Sequence, residues 1–284
     1  MTPNDLGGAG FGPVEHAIDR ERIAGFVQAT GDDARRWLGV APPGYGAALL
    51  FAVAGPFLGD PRIREYTRTL IHVDQQFRYE RPLTAGVYSV SGTVDRVRER
   101  GGAWFVTFRA VAECEEEPAV VATSTFLMSN QPAGEPGEDR AEPPARDRGE
   151  SRRAASASGG VAIEPLPKSA SRLDLVRYAA ATGDFNPIHW DHASARAAGL
   201  DGIVVHGLLM HAWLSQLATT VAPGSVPIVA IKSRFRAALA PAAAAVAVGE
   251  ADKADGPLAD LRLRLSSGGA DMVTATATVR VGEE

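Results

Sequence analysis

The sequence predicts an α+β protein of two tandem units, each a strongly curved antiparallel sheet wrapped round one buried helix. Three observations carry this. A short run occurs twice, as ATGDDARRWLG over residues 29–39 and ATGDFNPIHWD over 181–191. Each copy follows a helix-like segment and precedes a second, strongly apolar one. After each apolar segment come several runs that alternate apolar and polar residues, as antiparallel strands with one buried face do.

In the first half, Asp19 can cap a helix that carries Ile23, Phe26 and Val27 on one face and ends at Thr30 and Gly31. The apolar helix YGAALLFAVAG starts at Tyr45, and strands are expected in LIHVDQQFRYE, VYSVSGTVDRV, AWFVTFRAVAE and AVVATSTFLMS. In the second half, Ser171 and Asp174 have the spacing of a capping box, with Asp in place of the usual Glu or Gln. Leu173, Val176 and Ala180 follow at helical spacing, and Gly183 is a natural stop. The segment HGLLMHAWLSQLATTV, from His206, is apolar on most sides, which marks a helix inside a core. Strands are expected in PIVAIKSRFRA, AAVAVGEAD, LADLRLRLSS and MVTATATVRV. Phe77 and Phe235 hold matching places in the first strand of each set.

Between the halves, residues 130–160 contain Pro, Gly, Ala, Ser and charges of both signs, with almost no large apolar side chain. Such a segment cannot bury enough surface to offset its ordering entropy. It is predicted to be a disordered linker between units at 1–129 and 161–284.

The length of 284 residues suits two domains, and 45% hydrophobic residues can fill their cores. The net charge, 29 − 34 = −5, leaves no electrostatic footprint for nucleic acid or an anionic membrane. One cysteine, Cys114, excludes an internal disulfide framework and a cysteine-based zinc site, and its acidic neighbours disfavour a thiolate. The start MTPNDLGGAGFGP shows no signal-peptide pattern, and no apolar run is long enough to span a bilayer. A soluble cytoplasmic protein is expected.

The second ATGD loop carries the chemistry. Asp184 and His189 put a carboxylate and an imidazole on one short turn, which Pro187 stiffens. Together they could hold and deprotonate one water. Asn186 could orient its neighbours or simply build the turn. His206 and Gly207 open the buried helix, where unpaired N–H groups could stabilise an oxyanion, and His206 itself is expected to orient the loop. A base, an acid and an oxyanion donor suit chemistry beside a carbonyl, such as adding water to an α,β-unsaturated thioester. His189, Asp191 and His192 could suggest a metal, but no second ligand cluster supports one. His211 is expected in the core or an interface, and His72 and Asp74 in a structural role or between the halves. Arg234 and Arg236 flank Phe235 and could either meet a phosphate or face solvent.

The stretch YAAATGDFNPIHWDHASARAAGLDGIVVHGLLM closely resembles the hydratase motif of the MaoC-like family, the (R)-specific enoyl-CoA hydratases. The resemblance covers most of residues 165–281. It implies hotdog folds, in which a long central helix is wrapped by an antiparallel sheet. FVQATGDD and LIHVDQQFRYERPLTAG are similar to the N-terminal MaoC-type dehydratase domain, including subunits of bacterial (3R)-hydroxyacyl-thioester dehydratases. The whole chain thus resembles double-hotdog, type 2 enoyl-CoA hydratases, two hotdogs packed as a pseudo-dimer with one catalytic half.

By this resemblance Asp184 and His189 are the catalytic pair and Asn186 the motif asparagine. The Gly207 N–H would bind the thioester carbonyl, and Ser215 matches a family serine on the central helix, although a serine there could equally bond back to its own backbone. In the first half Trp37 stands in place of the histidine and Tyr45–Gly46 in place of His206–Gly207, so one site per chain is expected. The shortened first half would leave room for a long or bulky acyl chain. The expected reaction is reversible hydration of trans-2-enoyl thioesters to (3R)-3-hydroxyacyl thioesters. Alternatives are a dehydratase acting on a carrier-protein thioester and a non-catalytic acyl-thioester binding protein. No metal or organic cofactor is expected, since coenzyme A would arrive on the substrate. The expected partner is an acyl-CoA or acyl-carrier-protein thioester, with assembly into a homodimer also compatible, and with no nucleic acid or membrane.

Overall fold

The structure, a computed structural model, describes residues 2–130, 160–222, 224–252, 254 and 256–282. Apart from its two end residues, the segment expected to be a linker lies outside the described residues.

The first half contains strands β1 (Gly10–Ile18), β2 (Thr69–Tyr79), β3 (Gly86–Arg100), β4 (Ala103–Cys114) and β5 (Glu117–Ser129), with helices α1 (Arg20–Thr30) and α2 (Gly46–Leu58). The second contains β6 (Val161–Lys168), β7 (Ile228–Phe235), β8 (Ala245–Ala251), β9 (Leu258–Ser267) and β10 (Ala270–Arg280). Its helices are α3 (Arg172–Thr182), α4 (His192–Ala197) and α5 (Gly207–Thr219). All ten strands form one antiparallel sheet in the order β1-β3-β4-β5-β2-β7-β10-β9-β8-β6. Read inward from either edge, the order of elements is the same. The halves meet at β2 and β7, where Asp74 faces Arg234 and Phe77 faces Ile231. The fold is a double hotdog, closed as a pseudo-dimer within one chain.

Each central helix fills the concave side of its half. In α5 every residue from Leu208 to Thr219 is buried, as its all-round apolarity predicts. Burying a large apolar side chain contributes about 1.5–3 kcal/mol, so residues such as Trp213 and Phe57 anchor the two cores. In α1 the buried face is the expected one, Asp19 accepts the Arg22 N–H, and Gly31 ends the helix at φ 61°.

The strand readings miss β1 and β6, which are the two edges of the sheet. Both contain proline, Pro13 in β1 and Pro165 and Pro167 in β6. Proline lacks the ladder donor and is tolerated at an edge, so the sequence pattern there is broken while the strand survives. The face of α3 is also corrected. Leu173 and Val176 are 55% and 54% exposed, and Leu175, Tyr178, Ala179 and Thr182 are buried instead. The reason lies in the other half: Tyr178 packs against Phe26 of α1, ring centroids 6.0 Å apart. The capping box of Ser171 and Asp174 forms despite the shorter acid.

The first half's ATGD loop has become a tie between the halves. The Arg36 guanidinium donates to the Thr219 and Ala222 carbonyls at 2.5 and 2.7 Å, capping the C-terminal end of α5. Gln216 Nε2 donates to Thr30 O at 3.1 Å, and Lys168 Nζ to Gly31 O at 3.0 Å. His72 sits between Phe126 and Phe235 at the junction of the halves, centroids 4.7 and 5.0 Å away. His211 is fully buried with Nδ1 2.7 Å from Ser233 Oγ. Burial lowers the His72 and His211 pKa values to about 4 and about 3, so both are neutral at pH 7. Among the described residues, no helix is long and apolar enough to cross a membrane.

Candidate active site

The site is assembled from three pieces of the second half. Gly183, at φ 81°, ends α3 and turns the chain so that Asp184 points inward. Asn186 then builds an Asx turn, its side-chain oxygen accepting the Ile188 N–H at 3.3 Å, and Pro187–His189 form one 3-10 turn. That turn carries His189 back toward Asp184. The third piece is the segment leading into α5, where the Ile188 carbonyl accepts the Val204 N–H.

Asp184, His189 and His206 are 8%, 6% and 0% exposed. One potential ligand atom from each lies within 4.8 Å of the others. Two ordinary hydrogen bonds to a shared water span such a gap. His189 Nδ1–H donates to the Val204 carbonyl at 2.8 Å, which selects that tautomer and leaves Nε2 free. His206 Nε2–H donates to the Asp184 carbonyl at 3.2 Å, and its ring stacks on His189 with centroids 3.7 Å apart and planes 25° from parallel.

Burial raises the Asp184 carboxyl pKa, opposed by the charge of His189 and by the Asn186 N–H. Burial lowers His189, opposed by Asp184 and by the Val204 bond. Burial, and secondarily His189, push His206 well down. Both imidazoles are therefore neutral near pH 7, and Asp184 and His189 titrate as a coupled pair.

A carboxylate with two imidazoles could also be read as a metal set. The stacking argues against that. Lone pairs lie in the ring planes, and planes stacked 3.7 Å apart and only 25° from parallel do not meet within a metal–nitrogen bond length of both rings. The geometry suits a bridging water better than a metal ion.

Gly207 is partly exposed between two buried neighbours, His206 and Leu208. Its lack of a side chain has a packing reason, since a Cβ would meet the Phe235 ring at 3.2 Å. The matched Gly46 is tighter still, 2.9 Å from Phe77. No side chain of the N-cap residue His206 bonds the first turn of α5; the Leu209 and Met210 N–H groups donate to the His206 carbonyl, and the Gly207 and Leu208 N–H groups have no intrahelical acceptor.

Ser215 is not brought to this cluster. Its hydroxyl donates to the His211 carbonyl at 3.1 Å, and it lines a narrow space with Asp32, Pro43 and Gln216 of the two halves. Each ATGD loop faces the central helix of the opposite half, so Ser215 belongs with the loop of the first half. The helix near Asp184 is α2, where a Cβ on Gly183 would lie 3.7 Å from Phe51. The position matching Ser215 on α2, eight after the helix-opening glycine, is Ala54. In the first half Trp37 is buried where a histidine would stand, with the Arg36 guanidinium 5.0 Å from its ring centre. His206, expected only to orient the loop, does so, and it also forms one wall of the cluster.

The profile of the MaoC like domain matches residues 155–251, which include every residue of this cluster. A UPF0336 protein of Streptomyces avermitilis is 31% identical over 137 residues, 43% of this chain and 91% of that one. The chain thus carries a MaoC like domain and belongs with the UPF0336 proteins. A mitochondrial 3-hydroxyacyl-[acyl-carrier-protein] dehydratase of Arabidopsis thaliana is 38% identical over 56 residues, 20% of this chain and 34% of that one. Among solved structures, a MaoC-like dehydratase superposes with a TM-score of 0.79 at 19% identity, covering 98% of this chain and 99% of that one. A Mycobacterium tuberculosis protein described as a double hotdog gives 0.69 at 14% identity, covering 98% of each. These structural likenesses place the whole chain, not only its second half, in the double-hotdog fold.

Proposed function

We propose that this MaoC-like protein catalyses reversible syn hydration of trans-2-enoyl thioesters to (3R)-3-hydroxyacyl thioesters. The reading places one site per chain, in a catalytic unit at residues 161–284, with residues 1–129 as a non-catalytic partner unit. The observation that carries it is a buried carboxylate and a neutral imidazole within one water's span, beside the uncapped start of α5.

In this mechanism the thioester carbonyl accepts a hydrogen bond from the Gly207 N–H, which draws electron density from the conjugated C=C. Asp184 and a free His189 Nε2 hold the water. Its oxygen bonds to Cβ while the pair takes one proton, and the pair returns one proton to Cα on the same face. One water is added, nothing is oxidised, and the pair ends as it began. Run backward, the same steps dehydrate the hydroxyacyl thioester. Asn186 keeps the turn between the two groups rigid. The 3R sense is carried over from the family. No organic cofactor enters these steps, since coenzyme A would travel with the substrate.

The match to the Arabidopsis enzyme favours a second reading, in which the acyl group sits on a carrier protein. Loss of enoyl absorbance with crotonyl-CoA, a longer enoyl-CoA and the same acyl groups on carrier protein tests both. Turnover of the CoA thioesters to a 3R product supports the first reading, and turnover restricted to carrier-bound substrates the second. Binding without turnover of any of them contradicts both.

A further inference from the structure

Two buried polar atoms beside the cluster have no protein partner: the Tyr178 hydroxyl and His206 Nδ1. Their rings lie 4.9 Å apart. The internal repeat shows how unusual this is. Tyr178 stands six residues before Asp184, and Phe26 stands six before Asp32. Both rings are fully buried, and both pack on the residue that precedes the central helix, His206 in one half and Tyr45 in the other. The first half thus folds with a plain phenyl ring at this place. The fold does not ask for the hydroxyl, and burying one without a partner is destabilising.

Three matched positions differ in the same direction. Phe26, Trp37 and Tyr45 of the first half become Tyr178, His189 and His206 of the second. The second half has gained polar atoms around its aspartate where the first has a largely apolar wall.

We propose that Tyr178 is a positioning residue of the site: its hydroxyl and His206 Nδ1 hold one ordered water against the Asp184 carboxylate. The phenol O–H donates to that water. The water donates one hydrogen to the bare His206 Nδ1 and one to Asp184. It then has three partners, the usual number for a buried water. The arrangement satisfies both orphaned atoms and steadies the carboxylate in its charged form, so that its other oxygen is free to face the reacting water. The catalytic use of this water rests on the hydration reading above, but its effect on Asp184 does not.

Tyr178→Phe is the test, because the first half shows that the ring fits without the hydroxyl. The groups facing Asp184 are His189 on its own loop, His206 before α5 and Tyr178 on α3, with Tyr79 of β2 beyond Tyr178; α2, packed over the loop, has no titratable side chain. With 13C-labelled aspartate, the Asp184 carboxyl is expected to titrate about one pH unit higher in the variant, as loss of a donor to the charged form requires. Thermal stability should be unchanged or raised. With an enoyl thioester, kcat should fall about tenfold while KM stays within about twofold. An unmoved carboxyl titration overturns the proposal whether or not the protein turns over thioesters. A shifted titration with undiminished kcat overturns the catalytic part alone, and a marked loss of stability shows that the hydroxyl serves the fold. If wild type has no hydratase activity while the titration shifts, the water stands and the hydration reading falls.

Discussion

His189 and His206 lie face to face, with ring centroids 3.7 Å apart, and each ties one nitrogen to a carbonyl of the other's neighbourhood. His189 holds Val204, two residues before His206, and His206 holds Asp184, on the loop that carries His189. The two loops are thereby laced into one rigid unit. His206→Phe keeps a stacking ring but loses the bond to the Asp184 carbonyl. It is expected to lower kcat about 10- to 100-fold with little change in KM, measured by steady-state kinetics on an enoyl thioester.

The pH profile follows from the same burial. Asp184 is raised from 3.8 and His189 lowered from 6.5. Hydration needs the carboxylate ionised and His189 Nε2 free, so the rate is full at neutral pH and falls on acidification. The acid limb is expected above the ordinary aspartate range and below the ordinary histidine range. A rate profile centred outside that interval would contradict the assignment of the pair.

Stability should respond to acid through other histidines. His72 and His211 titrate near 4 and near 3 when folded but near 6.5 when unfolded. A lowered folded value gives stability that is present above 6.5 and lost as pH falls toward the folded pKa. At pH 5 each costs about 2 kcal/mol relative to neutral pH. Denaturant melts of wild type and His211→Gln at pH 7 and pH 5 should show a smaller pH dependence in the variant.

The two helix-opening glycines separate packing from chemistry. Gly46→Ala drives a Cβ to 2.9 Å from Phe77 in the half where Trp37 stands in place of the histidine. It is expected to cost about 1–3 kcal/mol with turnover per folded molecule retained. Gly207→Ala meets Phe235 at 3.2 Å, a milder contact, but shifts the first turn of α5. It is expected to cost less stability and about tenfold or more in kcat. Paired melts and rates of the two variants check this.

Much of this was legible in the sequence, and each exception has a physical cause. The duplicated ATGD run gave the two-unit plan, and Asp184 and His189 lie close together as their spacing suggests. Two of the failures depended on the opposite half. The buried face of α3 is set by Phe26, which no local period reveals. Ser215 was matched by sequence to the site of its own half, but the middle of each central helix faces the loop of the other. The edge strands β1 and β6 were hidden by their prolines, which an edge tolerates. Tyr178 carried a signal that was there to be found, a tyrosine at a position where the other repeat has phenylalanine.

The most direct measurement is the rate of crotonyl-CoA hydration by wild type, Asp184→Asn and His189→Ala, followed by loss of enoyl absorbance, with folding of each confirmed by melting. Wild type is expected to hydrate the substrate to the 3R product, and each variant to lose about 10³-fold or more. Hydration that survives in either folded variant would contradict the claim that Asp184 and His189 activate the water.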